Sequence, residues 1–342
     1  MQKNKILLVS HGPNQTGWGQ VTQSIVKALS INFDLVCRTV KLAPNNYPYW
    51  YTELENKSVD DVTHVLQYVL PDYYTRYPNV VNVGITEIEY ADINFNYWLE
   101  YYDIMDQIWV SNKHAKTELK RFVSIPVHVV EHPYRAPTPK IPPLRIPEID
   151  GNYIFYSIAE NTPRKNLAAI IEAYHLEFDP SEPVSLVLKS DASIANLCVN
   201  VKNGLQLYNS IDDYSPEIVF QNKISDLDIL GLHLLCDCYI NTSIGESYGV
   251  PVRDAISFNN DVIVNSVGGL DGPYPSVPNM ATPAMGGKMP HLENARNKAA
   301  EPSIYHLMQK MRKAYEGKLA KPECKFQSYE SYSEKIKQLL RK

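Results

Sequence analysis

Apolar positions along the chain switch repeatedly between short unbroken runs and helical stripes. Residues 5–10, Lys-Ile-Leu-Leu-Val-Ser, form a strand-like run that stops at the turn His11-Gly12-Pro13. Val21, Ile25, Ala28 and Leu29 then recur at helical spacing. Residues 33–40, 63–70, 79–85, 107–111 and 127–130 read as further strands. Strands separated by helices predict βαβ units and a mostly parallel sheet.

The pattern restarts at residues 153–158. Leu167, Ile170, Ile171, Tyr174 and Phe178 form a helical stripe. Residues 183–189, 217–221, 236–241 and 261–265 read as strands, and 225–235 and 251–258 as helices. Between the two halves, residues 133–149 hold six prolines in 17 positions. Proline removes donors and fixes φ, so this stretch reads as a linker. Residues 268–291 hold five Gly, five Pro and three of the seven Met in 24 positions. They predict a long irregular loop, a candidate lid or acceptor contact. The expected division is an N-terminal domain over 1–135, a linker over 136–150, a C-terminal domain over 151–325 and a charged helix over 326–342. That last helix could pack back on the N-terminal domain. The fold class is α/β, with two doubly wound domains whose strand ends meet at a shared cleft.

Composition narrows the function classes. At 342 residues, 44% apolar and 21% charged, the chain is of ordinary globular type, with length for about two domains. No apolar run approaches the roughly 18 residues of a membrane span, and the N-terminal apolar stretch is too short for a signal peptide. A formal charge of −5 argues against a nucleic-acid-coating protein. Five scattered cysteines show neither a disulfide framework nor metal-ligand spacing, which points to a reducing cytoplasm. Cys236 and Cys238, two apart on an expected strand, would share one buried face.

Three segments carry candidate chemistry. Gln15-Thr16-Gly17-Trp18-Gly19-Gln20 lies between the first strand and helix. Gly17 and Gly19 there allow close backbone approach, and a helix N-terminus favours an anion such as a diphosphate. Thr162-Pro163-Arg164-Lys165-Asn166 is expected to open a helix, with Thr162 as N-cap and Pro163 at the first position. Two cations at a helix N-terminus oppose its dipole, so a bound phosphate would compensate them. Ser243 to Ala255 runs from a strand through Glu246-Ser247-Tyr248-Gly249-Val250-Pro251 into a helix that carries Asp254. Carboxylates around a strand-end pocket can bind sugar hydroxyls, and helix capping is the plain alternative. Asp226 and Asp228 lie in a predicted helix and are not expected to hold a metal.

The third segment resembles the Glu-x7-Glu signature of retaining nucleotide-sugar glycosyltransferases of family four, here Glu246-Ser-Tyr-Gly-Val-Pro-Val-Arg-Asp254. Pro163-Arg164-Lys165-Asn166 resembles that family's Arg-Lys element. Residues 16–22 resemble its N-terminal phosphate loop, and the likeness covers about residues 5–270. The resemblance implies the GT-B fold, two Rossmann-like doubly wound domains facing a central cleft. It implies transfer of a sugar from a nucleoside diphosphate sugar, a UDP-sugar foremost, with retention of anomeric configuration. It requires no cofactor and no metal.

By the same resemblance Glu246 contacts the donor sugar, and Lys165 with Arg164 neutralises the diphosphate. Gly17, Gly19, Ser247, Tyr248, Gly249 and Asp254 line the donor, with Asp254 on the ribose and Asn222 near the base. Glu89, or Glu87, is the candidate polar group toward the acceptor. The family's usual Arg six residues before the Lys is Ala159 here, Asp254 is one methylene shorter than Glu, and the family's N-domain histidine has no match. The acceptor is unassigned: a glycan, a small molecule, a protein side chain or a hydroxylated DNA base would each fit. The acidic balance weighs against DNA, although Lys113, Lys116, Lys120 and Arg121 could form one basic helix face. The rival functions are an inactive nucleotide-sugar-binding or scaffold protein and a nucleotide-sugar epimerase.

Overall fold

The structure is a computed structural model. It describes residues 3–41, 47–91, 97–134, 142, 144–209, 213–215, 217–270, 272–283, 298–322 and 324–341. The chain divides into two compact units. The first comprises Met1–Ile88, Asn94–Ala136 and Lys325–Lys342; the second comprises Glu89–Ile93 and Pro137–Cys324. Glu89, expected in an N-terminal domain, therefore groups with the second unit.

The first unit holds strands β1 (Lys5–Ser10), β2 (Asp34–Thr39), β3 (His64–Tyr68), β4 (Val81–Thr86), β5 (Gln107–Val110) and β6 (Val127–Val129). They form one parallel sheet in the order β2-β1-β3-β4-β5-β6. Helices α1 (Gly17–Asn32), α2 (Tyr49–Glu55), α3 (Leu99–Asp103) and α4 (Lys113–Leu119) alternate with the strands. The buried stripe of α1 includes Val21, Ile25, Ala28 and Leu29, the four apolar positions of its periodicity.

The second unit holds β7 (Tyr153–Ile158), β8 (Val184–Lys189), β9 (Ile218–Phe220), β10 (Cys238–Asn241), β11 (Asp261–Asn265) and β12 (Ser276–Val277). These form a parallel sheet in the order β12-β11-β10-β7-β8-β9. Its helices are α5 (Leu167–Glu177), α6 (Ile194–Asn209), α7 (Asp226–Leu235), α8 (Val250–Ser257) and α9 (Ile304–Tyr315). The sheet separates two apolar clusters. Phe155, Leu186, Cys238 and Ile240 belong to one, and Tyr156, Val187, Tyr239 and Val262 to the other. Alternate residues of one strand thus enter opposite layers, as the pleat requires.

Several expectations change in detail. Cys236 and Cys238 lie in different clusters, not on one face. Cys236 ends α7 as its C-cap, outside the strand, so the period-two argument does not reach it. The described part of 268–291 is not irregular throughout. It contains β12 and β13 (Asn279–Pro283), and β13 pairs antiparallel with β14 (Lys298–Pro302). Residues 271 and 284–291 of that expected lid lie outside the described residues, as do 136–141 and 143 of the linker. The later part of the proline stretch packs on the second unit. Ile149 is buried there, and Leu144 N–H donates to the Gly231 carbonyl at 3.4 Å. Asp228 completes a capping box with Ser225 at the start of α7. Helix α10 (Tyr329–Leu339) packs on α1, and Phe326 stacks on Tyr134 with ring centroids 4.5 Å apart. Among the described residues no helix is long and apolar enough to cross a membrane.

Candidate active site

In the second sheet β7 and β10 are neighbours, and the chain order runs outward from them in both directions. That is the topological switch point, where loops leaving the carboxyl ends of two strands diverge and leave room for a ligand. The segments that follow β7 and β10 carry Arg164, Lys165 and Glu246.

Pro163–Lys165 forms a short 3-10 turn, and α5 begins only at Leu167. Thr162 and Pro163 hold the expected N-cap and first positions, but of this short turn and not of α5, and the Thr162 side chain makes no capping bond. The break falls at Asn166, which is left-handed (φ 48°, ψ 47°), a conformation that Asn tolerates better than most residues. The turn is fastened to the loop after β10. Ile244 N–H donates to the Arg164 carbonyl at 2.8 Å, and the Thr242 hydroxyl donates to the Asn166 carbonyl at 2.8 Å. The two cations are thereby held by backbone contacts and do not sit in the first turn of α5.

Four charged side chains meet here. Lys165 Nζ donates to Glu246 Oε2. Arg164 Nη1 donates to the Gly245 carbonyl at 2.9 Å and lies 3.9 Å from Glu246 Oε2. Arg164 Nη2 pairs with Glu89 Oε1 at 3.1 Å. Burial by itself would raise the Glu246 carboxyl. The charges of Lys165 and then Arg164, the Lys165 hydrogen bond and the Ser247 N–H reverse this and hold it at about 2. Glu246 is therefore an anion throughout the neutral range.

The loop around Glu246 is held by identifiable contacts. Gly249 has φ +68°, the left-handed region that a side chain strains, and it turns the chain into α8. Gly245 lies against the Tyr90 ring and the Glu89 carbonyl, so a Cβ there would collide with both. Arg253 Nε donates to the Tyr248 carbonyl at 3.1 Å, and its guanidinium lies 4.0 Å from the Tyr248 ring centroid. Asn265 Nδ2 donates to the Ser243 carbonyl at 3.0 Å. Ala300 N–H, from β14, donates to the Ile244 carbonyl at 3.1 Å.

The remaining expected residues divide. Ser247 and Tyr248 are buried in the Glu246 loop, and Asp254 is buried in α8. Glu246 and Asp254 both act electrostatically on the Tyr239 hydroxyl, which donates to the Ile158 carbonyl at 3.2 Å. Asn222 is exposed after the edge strand β9 and has no bond to the charged cluster.

In the first unit the switch point lies between β1 and β3, and the turn bearing Gly17 and Gly19 follows β1. Gly19 N–H donates to Thr16 Oγ1 at 3.2 Å, so the N-cap of α1 uses this donor. Gly17 is exposed, with open space where a Cβ would stand. Trp18 stacks on Tyr68, the last residue of β3, at 4.5 Å.

His11 is structural. Its Nε2 accepts from Leu70 N–H at 3.3 Å, and Nδ1 bonds the Val40 carbonyl at 3.2 Å. Burial lowers its pKa, consistent with a neutral ring.

Glu87 stays in the first unit and binds His132 Nε2 through Oε1, while Ser111 Oγ donates to Oε2 at 2.8 Å. His132 was invisible to motif analysis, because it lies 45 residues from its partner with no spacing rule to link them.

No family profile and no curated protein sequence matches the chain. Solved structures do. The N-terminal domain of trehalose-6-phosphate phosphatase from Candida albicans superposes with a TM-score of 0.65 at 10% identity, over 100% of this chain and 97% of that one. Anabaena HepE, solved with UDP and glucose, superposes with a TM-score of 0.65 at 11% identity, over 99% of each. A glycosyltransferase from Rickettsia africae gives 0.58 at 15% identity, over 100% and 94%. The fold is GT-B. In this GT-B chain the charged cluster belongs wholly to the second unit and the glycine turn to the first.

Proposed function

We propose that the protein is a glycosyltransferase that moves a sugar from a nucleoside diphosphate sugar to a hydroxyl acceptor with retention of anomeric configuration, as in family four. The observation that carries the proposal is the pairing of Glu246 with Lys165 and Arg164 at the switch point of the second sheet. The structural likeness to HepE, solved with UDP and glucose, supports a UDP-sugar as donor.

In the proposed reaction the bond from the anomeric carbon to the diphosphate oxygen breaks. A bond to the acceptor oxygen forms on the same face, and the hydroxyl proton passes to the departing phosphate. Arg164 and Lys165 neutralise the charge that develops on that leaving group, which removes the need for a metal. Glu246, a fixed anion, binds donor-sugar hydroxyls and supports positive charge at the anomeric carbon. Asp254 takes the ribose and Asn222 the base. The scattered cysteines, whose spacing forms no disulfide framework, support a reducing, cytoplasmic setting.

The test is nucleoside diphosphate release from a panel of nucleotide sugars, wild type against Glu246→Ala, with glycan, small-molecule, protein and hydroxymethylated-DNA acceptors in separate arms. Release from one donor, abolished by the substitution, is the expected result. Tight binding with no release in any arm would identify an inactive binding protein, and acceptor-free conversion of the donor sugar would identify an epimerase.

A further inference from the structure

Three adjacent strands of the second sheet each end on a half-buried residue. β7 ends at Ile158, β8 at Lys189 and β9 at Phe220. The three are register partners, Ile158 with Lys189 and Lys189 with Phe220. Partners in a parallel sheet project from the same face. Ile158 and Phe220 pack against the apolar cluster of Tyr156, Val187 and Tyr239, which identifies that face. The carboxyl edge of the sheet thus carries one row, an amine between two apolar side chains. At about 4.8 Å per strand the row is about 10 Å long.

The Lys189 amine is underused. Among the described residues it makes one hydrogen bond, to the Ser190 carbonyl at 3.1 Å, and no ion pair. A lysine amine has three donors to give. The Asp191 carboxylate raises the Lys189 pKa from a distance, but it accepts from Asn161 N–H at 2.8 Å and Ser193 N–H at 2.9 Å. Burial outweighs it and lowers the pKa. A cation drawn partly out of water, with donors to spare, marks a place for a ligand's acceptor.

Position and composition select that acceptor. The row begins on β7, at the switch point, in the strand whose following turn carries Arg164 and Lys165. It runs away from them toward the edge strand β9. Asn161, ahead of that turn, ties its loop to Asp191 after β8, so the two strand ends are held together. A second phosphate would meet an apolar group on either side of the amine, which suits it poorly. A flat ring with an oxygen on its rim suits both, the ring on the apolar groups and the oxygen on the amine.

We propose that Ile158, Lys189 and Phe220 seat the base of the nucleotide donor, and that Lys189 reads the base by donating to a ring carbonyl. The proposal rests on the donor reading above and deepens it. Uracil carries two carbonyl oxygens and adenine none, so a group that only donates prefers a uridine donor. Asn222 follows Phe220 by two residues, at the β9 end of the row.

The experiment is calorimetric titration of UDP and of ADP into wild type and Lys189→Met, with Lys189→Ala as a second removal of the amine. Wild type should bind UDP more tightly than ADP. Lys189→Met keeps the apolar stem and should bind UDP about 10-fold more weakly, the loss of one charge-assisted hydrogen bond. ADP binding should be unchanged, which also shows that the variant is folded. Equal weakening of both nucleotides would overturn the proposal, since it would put the amine on the diphosphate they share. Full UDP affinity in both variants, or a wild type that prefers ADP, would overturn it while leaving the donor reading standing. If wild type binds no nucleoside diphosphate, the donor reading itself fails, and this proposal with it.

Discussion

Replacing Glu246 by Gln removes one charge and keeps the shape. In the native protein the carboxyl is held at about 2, against an ordinary 4.5, in a side chain only 9% exposed. A displacement of that size corresponds to about 3 kcal/mol of stability at neutral pH. The sign follows from the depressed value. The contribution is complete above the unfolded-state value of 4.5 and is lost as pH falls toward about 2. At pH 3 roughly half of it should remain. Gln has no charge to lose, so the difference between wild type and Glu246→Gln isolates this one group from every other carboxylate. The assay is denaturant unfolding of both proteins from pH 7 to pH 3. Wild type should be the more stable by about 3 kcal/mol at pH 7, and that lead should shrink by about half at pH 3. A lead that is constant with pH would refute the ionic account of the cluster, because it would show that the lost stability came from packing and not from charge.

Two further substitutions test the loop that holds Glu246. Arg253→Ala removes both the 4.0 Å contact with the Tyr248 ring and the hydrogen bond to its carbonyl. It should cost about 1–3 kcal/mol in unfolding and lower donor affinity, whereas Arg253→Lys should recover the charge but not the donor affinity, read by calorimetry. Gly249→Ala puts a Cβ at φ +68°, 2.8 Å from Leu270 Cδ2. It should destabilise by about 1–2 kcal/mol in thermal unfolding and depress sugar transfer more than nucleotide binding, since it distorts the turn that carries Glu246. Wild-type stability in this variant would show that the turn is not strained.

The strand and helix pattern was largely legible from the chain. Eleven predicted strands map onto β1 to β11 with ends shifted by at most a residue or two, and the stripes of α1 and α5 are buried as their periodicity requires. Local interactions dominate in such segments, so local pattern suffices. The expectations that failed did so where one residue outweighed its neighbours. Asn166 turned a predicted helix start into a separate turn. Cys236 fell outside the strand whose period was applied to it. The hairpin of β13 and β14 was hidden in a segment rich in Gly and Pro, because its partner strand lies beyond that segment.

By itself the sequence determined the order of the first eleven strands, the buried stripes of α1 and α5 and the residue types at the candidate site. Glu246, Arg164 and Lys165 could be named because each stands in a short motif whose chemistry is local. Only the tertiary structure decided how those groups are paired. It set Glu89 against Arg164 across 75 positions of sequence and joined Glu87 to His132, and it consumed the Gly19 N–H in a helix cap. The physical reason is that electrostatic and hydrogen-bond energies depend on distance through space. That distance is set by sheet order and loop packing, and no run of neighbouring residues encodes it.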